Sequence, residues 1–306
     1  MLYESPSSDP FFNLALEHYF MEAWALEKSV LLLYRNAPSV VIGKNQNPWL
    51  ETSPAFLAQN KINLVRRYSG GGAVYHDPGN LNLSLILPSG LGRKELLFSL
   101  LQSILDRAGL KNSEVKGNSL FYKQKKISGS AYYYKKQRAL LQCTLLVDAN
   151  LAMLHESLKA EADLEINSCA VNSLRALVAN CRDFDPDLSV SRITGIIKAL
   201  LPQNNYNTEE ARLFLEPAFL SKIQAFREEL RSWNWVFGKT PQFECRMNLA
   251  HSEKNPKKVS MTIKINCGII DQISINDDII SKIKNYSGLI HQQNRVFDAG
   301  VIKSML

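Results

Sequence analysis

The apolar positions along the chain recur with two periods, and each period predicts a different kind of element. Phe12, Leu16, Tyr19, Phe20 and Ala23 fall at helical spacing. Ahead of them, Ser8-Asp9-Pro10 offers a capping side chain and a proline where its missing N–H costs nothing. Helical patterns also cover 94–109, closed by Gly109, and then 149–159, 190–201 and 216–231. V-L-L-L-Y-R (30–35) and S-V-V-I-G (39–43), joined through Asn36-Ala37-Pro38, predict two paired strands of one sheet. From Leu81 to Leu87 the leucines are separated by Asn82 and Ser84, the pattern of a half-buried strand. Short strands and turns follow from Lys111, leading into a strand over 142–147.

After Gly238-Lys239-Thr240-Pro241 the pattern changes to short alternating strands at 243–249, 259–265 and 269–275. A charged loop from Glu253 to Lys258 separates the first two, and Asn266-Cys267-Gly268 forms a hairpin turn between the last two. Strands and helices do not alternate as β-α-β-α, which disfavours a doubly wound parallel sheet. The expected fold class is α+β, with a mixed or antiparallel sheet. A boundary near 238–242 predicts a catalytic domain over 1–240 and a small α+β accessory domain over 241–306.

Composition excludes more than it identifies. With 306 residues, 45% of them hydrophobic and 21% charged, the chain can bury a core and is neither disordered nor collagen-like. Five cysteines without a C-x-x-C pair and five scattered histidines give no disulfide framework and no zinc spacing, so no metal is expected. The N-terminal residues read neither as a secretory signal nor as a transit peptide, and no apolar stretch approaches the roughly 18 residues of a membrane span. An intracellular, soluble protein is expected.

Charge adds a location. Eight basic residues and one acid, Glu114, lie between Lys111 and Arg138. Taking 8 from 36 and 1 from 29 leaves 28 of each sign elsewhere, so the whole excess of +7 falls in that segment.

Two stretches carry candidate chemistry. In R-R-Y-S-G-G-G-A-V-Y-H-D (66–77) three glycines free the backbone to aim N–H groups into one concavity, beside two arginines suited to a phosphate or carboxylate. It is neither a P-loop nor G-x-G-x-x-G. In K-K-I-S-G-S-A (125–131) a strand leads its lysine into a turn, where an ammonium can neutralise charge developing during acyl transfer. Cys143 lies in an apolar strand and reads as an inert buried thiol, while His76, at a turn, reads as a local hydrogen-bonding residue. Trp233 and Trp235 are expected to pack at the domain join.

Together, R-R-x-S-G-G-G-[AT]-V-[YF]-H-D, a following Gly-Asn, and K-[IV]-S-G-[ST]-A resemble the lipoate–protein ligase A and lipoyltransferase family. F-N-L-A (12–15), V-V-I-G-K-N-Q-N-P-W (40–49), C-T-L-L (143–146) and W-N-W-V-F-G-K-T-P (233–241) extend the likeness over about 230 residues in order. The sequence is most similar to the mitochondrial lipoyl amidotransferase branch, which shares Cys-Thr-Leu-Leu and the register from Ile166 to Asn180. The resemblance implies a catalytic domain like that of biotin ligases and class II synthetases, with lipoyl-AMP as substrate. It implies transfer of a lipoyl or octanoyl group to lipoyl domains of 2-oxoacid dehydrogenase E2 subunits, with the glycine-cleavage H protein as a possible donor. No nucleic acid or membrane partner and a monomeric state are expected. The branch points to the mitochondrial matrix for a eukaryotic chain and the cytoplasm for a bacterial one.

By position in the motifs, Lys126 matches the lysine that touches acyl carbonyl and phosphate. Arg67, Gly70, Gly71, Gly72, Ala73, Val74 and Tyr75 match the enclosing loop. Asn80, Thr144, Leu174 and Ala176 match further lipoyl-AMP contacts. The family's Arg-x-Asp is here Lys116-Gly117-Asn118, and its His-His is Leu141-Gln142. Lysine loses the bidentate fork and asparagine loses the charge. These departures favour transfer over a ligase that activates lipoate itself with ATP and Mg²⁺. A silent binding module for RNA or an acidic protein is the remaining alternative. The tyrosine run Tyr132-Tyr133-Tyr134, among lysines, is expected on the acceptor-facing surface.

Overall fold

The computed structural model describes residues 1–22, 28–161, 164–201, 217–249, 259–275, 292–293 and 295–304. Ala23 and the Glu253–Lys258 loop lie outside them. In order, the elements begin with β1 (Leu2–Glu4), α1 (Pro10–Glu22), β2 (Val30–Tyr34), β3 (Ser39–Ile42), α2 (Pro48–Glu51), α3 (Pro54–Gln59), β4 (Asn63–Arg66) and β5 (Val74–His76). Next come β6 (Asn80–Pro88), α4 (Lys94–Arg107), β7 (Glu114–Lys116), β8 (Ser119–Tyr122), β9 (Lys125–Lys135), β10 (Arg138–Leu146), α5 (Leu151–Ser157) and β11 (Leu164–Ser168). The chain continues through α6 (Val190–Leu200), α7 (Pro217–Arg231), α8 (Trp233–Val236), β12 (Phe243–Leu249), β13 (Val259–Asn266), β14 (Ile269–Ile275) and α9 (Ala299–Ser304).

The main sheet runs β1-β2-β6-β10-β9-β8-β7, antiparallel except for the parallel β1–β2 pair. Period-two alternation divides its side chains between two cores. Leu83 on β6 and Leu141 and Leu145 on β10 face one core, with Leu101 of α4 and Ile193 of α6. Leu32, Ile86 and Leu140 face the other, against Phe20 of α1 and Ile223 of α7.

Two sequence expectations fail here. V-L-L-L-Y-R and S-V-V-I-G do not pair: β2 lies between β1 and β6, whereas β3 joins a separate three-stranded sheet, β4-β3-β5. Neighbouring sequence suggested a hairpin, but both strands are buried throughout and each needs cover on two faces. The 81–87 strand is not half-buried either. Its Asn82 and Ser84 are 1% and 0% exposed, so its polar residues face an internal polar layer instead of water.

The second sheet, β11-β12-β13-β14, takes its edge strand from residues 164–168 and the rest from beyond 242. Its core of Phe243, Cys245, Ile263 and Ile265 receives Trp49 from α2, whose ring lies 5.3 Å from those of Phe237, Phe243 and Phe297. Trp233 stacks on Phe237, whereas Trp235 packs in the core with Phe20 and Ile223 and donates its indole N–H to the Arg66 carbonyl at 2.8 Å. Asn266-Cys267-Gly268 makes the expected turn, with Cys267 and Gly268 at φ 49° and 71°.

Candidate active site

A one-residue irregularity aims the central lysine. Leu120 pairs with Ser128, yet the next residue, Phe121, pairs with Lys126, so Ile127 is an extra residue in β9. Such a bulge breaks the alternation and re-aims the side chain beyond it. Ile127 is fully buried in the core shared with Leu120, and Lys126 turns to the opposite face. There its ammonium lies over Gly129: a Cβ on that glycine would sit 3.4 Å from Lys126 Nζ. Gly129 faces Thr144 of β10 across the ladder. Burial lowers the Lys126 pKa from the ordinary lysine value. Its ammonium makes no hydrogen bond or ion pair to any described residue.

Lys126 and Thr144 stand where two chambers meet. The inner one, about 620 Å³, reaches Leu14, Tyr34 and Val41. The outer, about 600 Å³, is bounded by Tyr75, Leu146, Leu154 and Leu158, with Lys159 and Arg175. Ala73, Val74, Leu174, Arg175 and Ala176 border both. Gly71, Gly72, Arg67 and Lys116 border the inner chamber, whereas Gly70 and Asn80 line neither. Asn80 instead accepts from the Asp77 N–H at 2.9 Å and shapes the turn before β6.

The glycine loop is braced from beneath by Arg67. Its guanidinium donates to Ser69 Oγ and to the carbonyls of Val41, Gly70 and Gly72 at 2.6–3.0 Å. Three of its five donors therefore hold the loop and a fourth holds β3, so the free fork expected for an anion is largely occupied. Gly71 takes φ +90°, and a Cβ at Gly43 would meet the Gly71 carbonyl oxygen at 2.1 Å. Only glycine at both places allows this close crossing. Arg66 points away and binds the carbonyls of Gly43, Lys44, Gln46, Trp235 and Val236, tying the loop's base to α8.

Residues 171–179 cross the site as a strap. Val171 N–H bonds the Asn45 carbonyl, Lys126 N–H bonds the Leu177 carbonyl, and Ala179 N–H bonds the Lys126 carbonyl. Gln46 Nε2 donates to the Val171 carbonyl and to Ser173 Oγ, and Ala73 N–H donates to the same Oγ. Leu174, 94% exposed, stands at the mouth.

Alternation along β10 turns the Cys143 side chain into a core, although the residue also borders the inner chamber. Gln142 and Thr144 face the site, so Cys143 points into the opposite core, where burial pushes its thiol up to about 12. His76 is 4% exposed and bonds Asn36 through Nδ1 at 3.0 Å and Thr144 Oγ1 through Nε2 at 2.8 Å.

Sequence reasoning missed the polar floor of the inner chamber. Glu17 of α1 is fully enclosed and accepts from Ser84, Tyr34 and Gln142. Burial pushes its carboxyl up to about 7, against those three bonds and the charge of Arg67. Gln142 in turn accepts from Ser69 Oγ at 2.5 Å, linking Glu17 to the glycine loop. The only signal was polar spacing: Asn82 and Ser84 on one strand and Gln142 and Thr144 on its neighbour.

The basic segment does not form one patch. Lys116 pairs with Glu114 at 2.8 Å beside the inner chamber, and Lys135 pairs with Glu22 of α1 at 2.6 Å. Arg138 is 1% exposed and reaches the Lys28 carbonyl. Lys125 and Lys135 end an eleven-residue strand, about 33 Å apart at the usual rise. The tyrosine run divides likewise. Tyr132 packs on one core, Tyr133 on Tyr68 in the other, and Tyr134 bonds the Gly92 carbonyl. Alternation prevents a common acceptor face.

Among the described residues no group of three His, Cys, Asp or Glu is placed to hold a metal, and no carboxylate borders either chamber. No described helix is long and apolar enough to cross a membrane.

Residues 9–201 match the family model of the lipoyl protein ligase A/B catalytic domain. The chain is 33% identical to a putative lipoate-protein ligase A of Schizosaccharomyces pombe over 300 residues, covering 87% of this chain and 77% of that protein. It is 34% identical to the mitochondrial lipoyl amidotransferase of Mus musculus over 251 residues, 79% of this chain and 66% of that one. A solved lipoate-protein ligase A bound with ATP superposes with a TM-score of 0.56 at 26% identity, over 75% of this chain and 92% of that one. The glycine loop, the bulged lysine strand and the matches together place this chain in the lipoyl protein ligase A/B family.

Proposed function

We propose that the chain transfers a lipoyl or octanoyl group from an activated donor to the acceptor lysine of lipoyl domains of 2-oxoacid dehydrogenase E2 subunits. The donor is lipoyl-AMP or a lipoylated carrier such as the glycine-cleavage H protein. The observation that carries this reading is Lys126, a desolvated ammonium without a partner among the described residues, where two chambers meet. The inner chamber, with Leu14 and Val41, suits an acyl chain, and the outer one, with Lys159 and with Arg175 at its border to the inner chamber, suits a nucleotide. On this reading the acyl phosphate lies at Lys126, with its chain in the inner chamber and its nucleotide in the outer one.

The acceptor amine adds to the acyl carbon. The bond from that carbon to the phosphate oxygen then breaks, and AMP leaves with the electron pair while the amine loses a proton. Lys126 stabilises the charge on the carbonyl oxygen and on the departing phosphate. No enzyme nucleophile is needed, and Cys143 faces away. Arg67 keeps the loop shaped around the chain, and Thr144, Leu174 and Ala176 border the nucleotide. Residues 1–240 act as the catalytic unit and 241–306 as the accessory one, tied by β11. A monomer suffices, in the mitochondrial matrix or, for a bacterial chain, the cytoplasm.

The second reading, a ligase that makes its own lipoyl-AMP, is favoured by the ATP bound to the similar ligase. Cationic side chains fit the phosphates, whereas Mg²⁺ finds no carboxylate at either chamber. The transferase reading is therefore preferred. The test is to incubate the chain with an apo lipoyl domain and either lipoyl-AMP, lipoylated H protein, or lipoate with Mg-ATP, then weigh the acceptor. Mass gain from the first two alone is expected. Gain from lipoate and Mg-ATP would make it a ligase, and no gain from any donor would refute both.

A further inference from the structure

Ser173, in the strap, is assigned no role by the family motifs carried onto this chain. Its hydroxyl nevertheless has only one arrangement. Ala73 N–H donates to Ser173 Oγ at 2.7 Å, and a backbone N–H cannot accept. Gln46 Nε2 donates to the same oxygen at 3.1 Å. The orientation of that amide is fixed by its other bonds: Gly43 N–H donates to Gln46 Oε1 at 2.8 Å, and Gln46 Nε2 donates to the Val171 carbonyl at 3.3 Å. A flipped amide would set donor against donor at Gly43. Both lone pairs of Ser173 Oγ are thus taken, and its hydrogen must point elsewhere. No described residue accepts it. Ser173 borders both chambers, as Lys126 and Thr144 do.

We infer that the Ser173 hydroxyl is a fixed hydrogen-bond donor to an oxygen of the bound acyl phosphate, paired there with Lys126. The assignment rests on the acyl-transfer reading given above. Because the two accepted bonds orient the hydroxyl before the donor binds, little reorganisation is left at the moment of reaction. The geometry also separates this role from that of a latch. Gln46 holds the strap through Val171 and Ser173 but gives nothing to the ligand. Ser173 does both.

The experiment is single-turnover transfer from saturating lipoyl-AMP to an apo lipoyl domain, with wild type, Ser173→Ala, Ser173→Thr and Gln46→Ala. Ser173→Ala is expected to lower the rate constant by at least about tenfold, the scale of losing one donor to developing charge. Ser173→Thr, which keeps the hydroxyl, should retain most of the rate, and Gln46→Ala, which loosens the strap but keeps the donor, should lose about threefold or less. Equal losses in Ser173→Ala and Gln46→Ala would reduce Ser173 to a latch and overturn the assignment. So would a Ser173→Ala rate within about threefold of wild type. A wild type that transfers nothing would instead refute the acyl-transfer reading, and this inference with it.

Discussion

His76 donates its Nε2–H to Thr144 Oγ1 across 2.8 Å, and the Thr144 hydroxyl donates to Asn82 Oδ1 at 2.7 Å. Asn36 Nδ2 donates to the other ring nitrogen, and Asn36 Oδ1 accepts from Asn13 Nδ2 at 2.8 Å. The chain runs from α1 to β6 and fixes the neutral ring in one tautomer. A second ring proton would face the Asn36 N–H.

That relationship predicts acid sensitivity. Burial, then the charge of Arg67, push the His76 pKa down to about 3 from an ordinary 6.5. The unfolded chain therefore binds more protons between these values, so this stability is present above pH 6.5 and lost as pH falls towards 3. The full loss is on the order of 4–5 kcal/mol. Urea denaturation of wild type and His76→Gln from pH 6.5 down to 4 checks it. Wild type should lose stability more steeply; parallel curves would contradict the account.

Glu17 predicts the opposite slope. Its carboxyl is raised to about 7 from 4.5, so the folded state binds the extra proton between them. Its contribution is largest below pH 4.5 and falls by about 3 kcal/mol as pH rises through 7. Relative to wild type, Glu17→Gln should gain stability between pH 5 and 8. A constant difference across that range would place the carboxyl's titration elsewhere.

Arg66 is 0% exposed and meets only carbonyls and the Thr240 hydroxyl among the described residues. Arg66→Ala removes the side-chain donor from the carbonyls of Lys44, Gln46, Trp235 and Val236 and should cost about 3–5 kcal/mol. Arg66→Lys should recover little, because an ammonium lacks the fork that spans both groups. Chemical denaturation measures both. A loss under about 1 kcal/mol would show that the clamp is redundant.

The divided basic segment makes salt a graded probe. Lys125, next to Lys126, should steer an acidic acceptor, whereas Lys136, just past the far end of β9, should not. Lys125→Glu is expected to raise the acceptor KM roughly threefold or more at low salt, with Lys136→Glu near wild type. Equal effects would restore the idea of a single patch.

Much of this was legible in the sequence, for identifiable reasons. Helix α1 began where Ser8-Asp9-Pro10 predicted, and the hairpin at Asn266-Cys267-Gly268 formed as read, because local chemistry decides both. The pairing of β2 and β3 failed because adjacency along the chain does not say which sheet a buried strand joins. The R-R-x-S-G-G-G and K-I-S-G stretches were visible as chemistry. Their geometry was not, since an extra residue at Ile127 is needed to turn Lys126 toward Thr144. Glu17 was hidden because one acid among the apolar residues of a helix carries no local mark. The +7 excess was real in sequence but became dispersed once an eleven-residue strand separated its ends.

The measurement that bears most directly on the whole account is the intact mass of an apo lipoyl domain after incubation with lipoyl-AMP and either wild type or Lys126→Ala. Wild type should add one lipoyl group to the acceptor, and Lys126→Ala, with an unchanged melting curve, should add none. Acceptor modified by Lys126→Ala at the wild-type rate, or left unmodified by wild type, would contradict it.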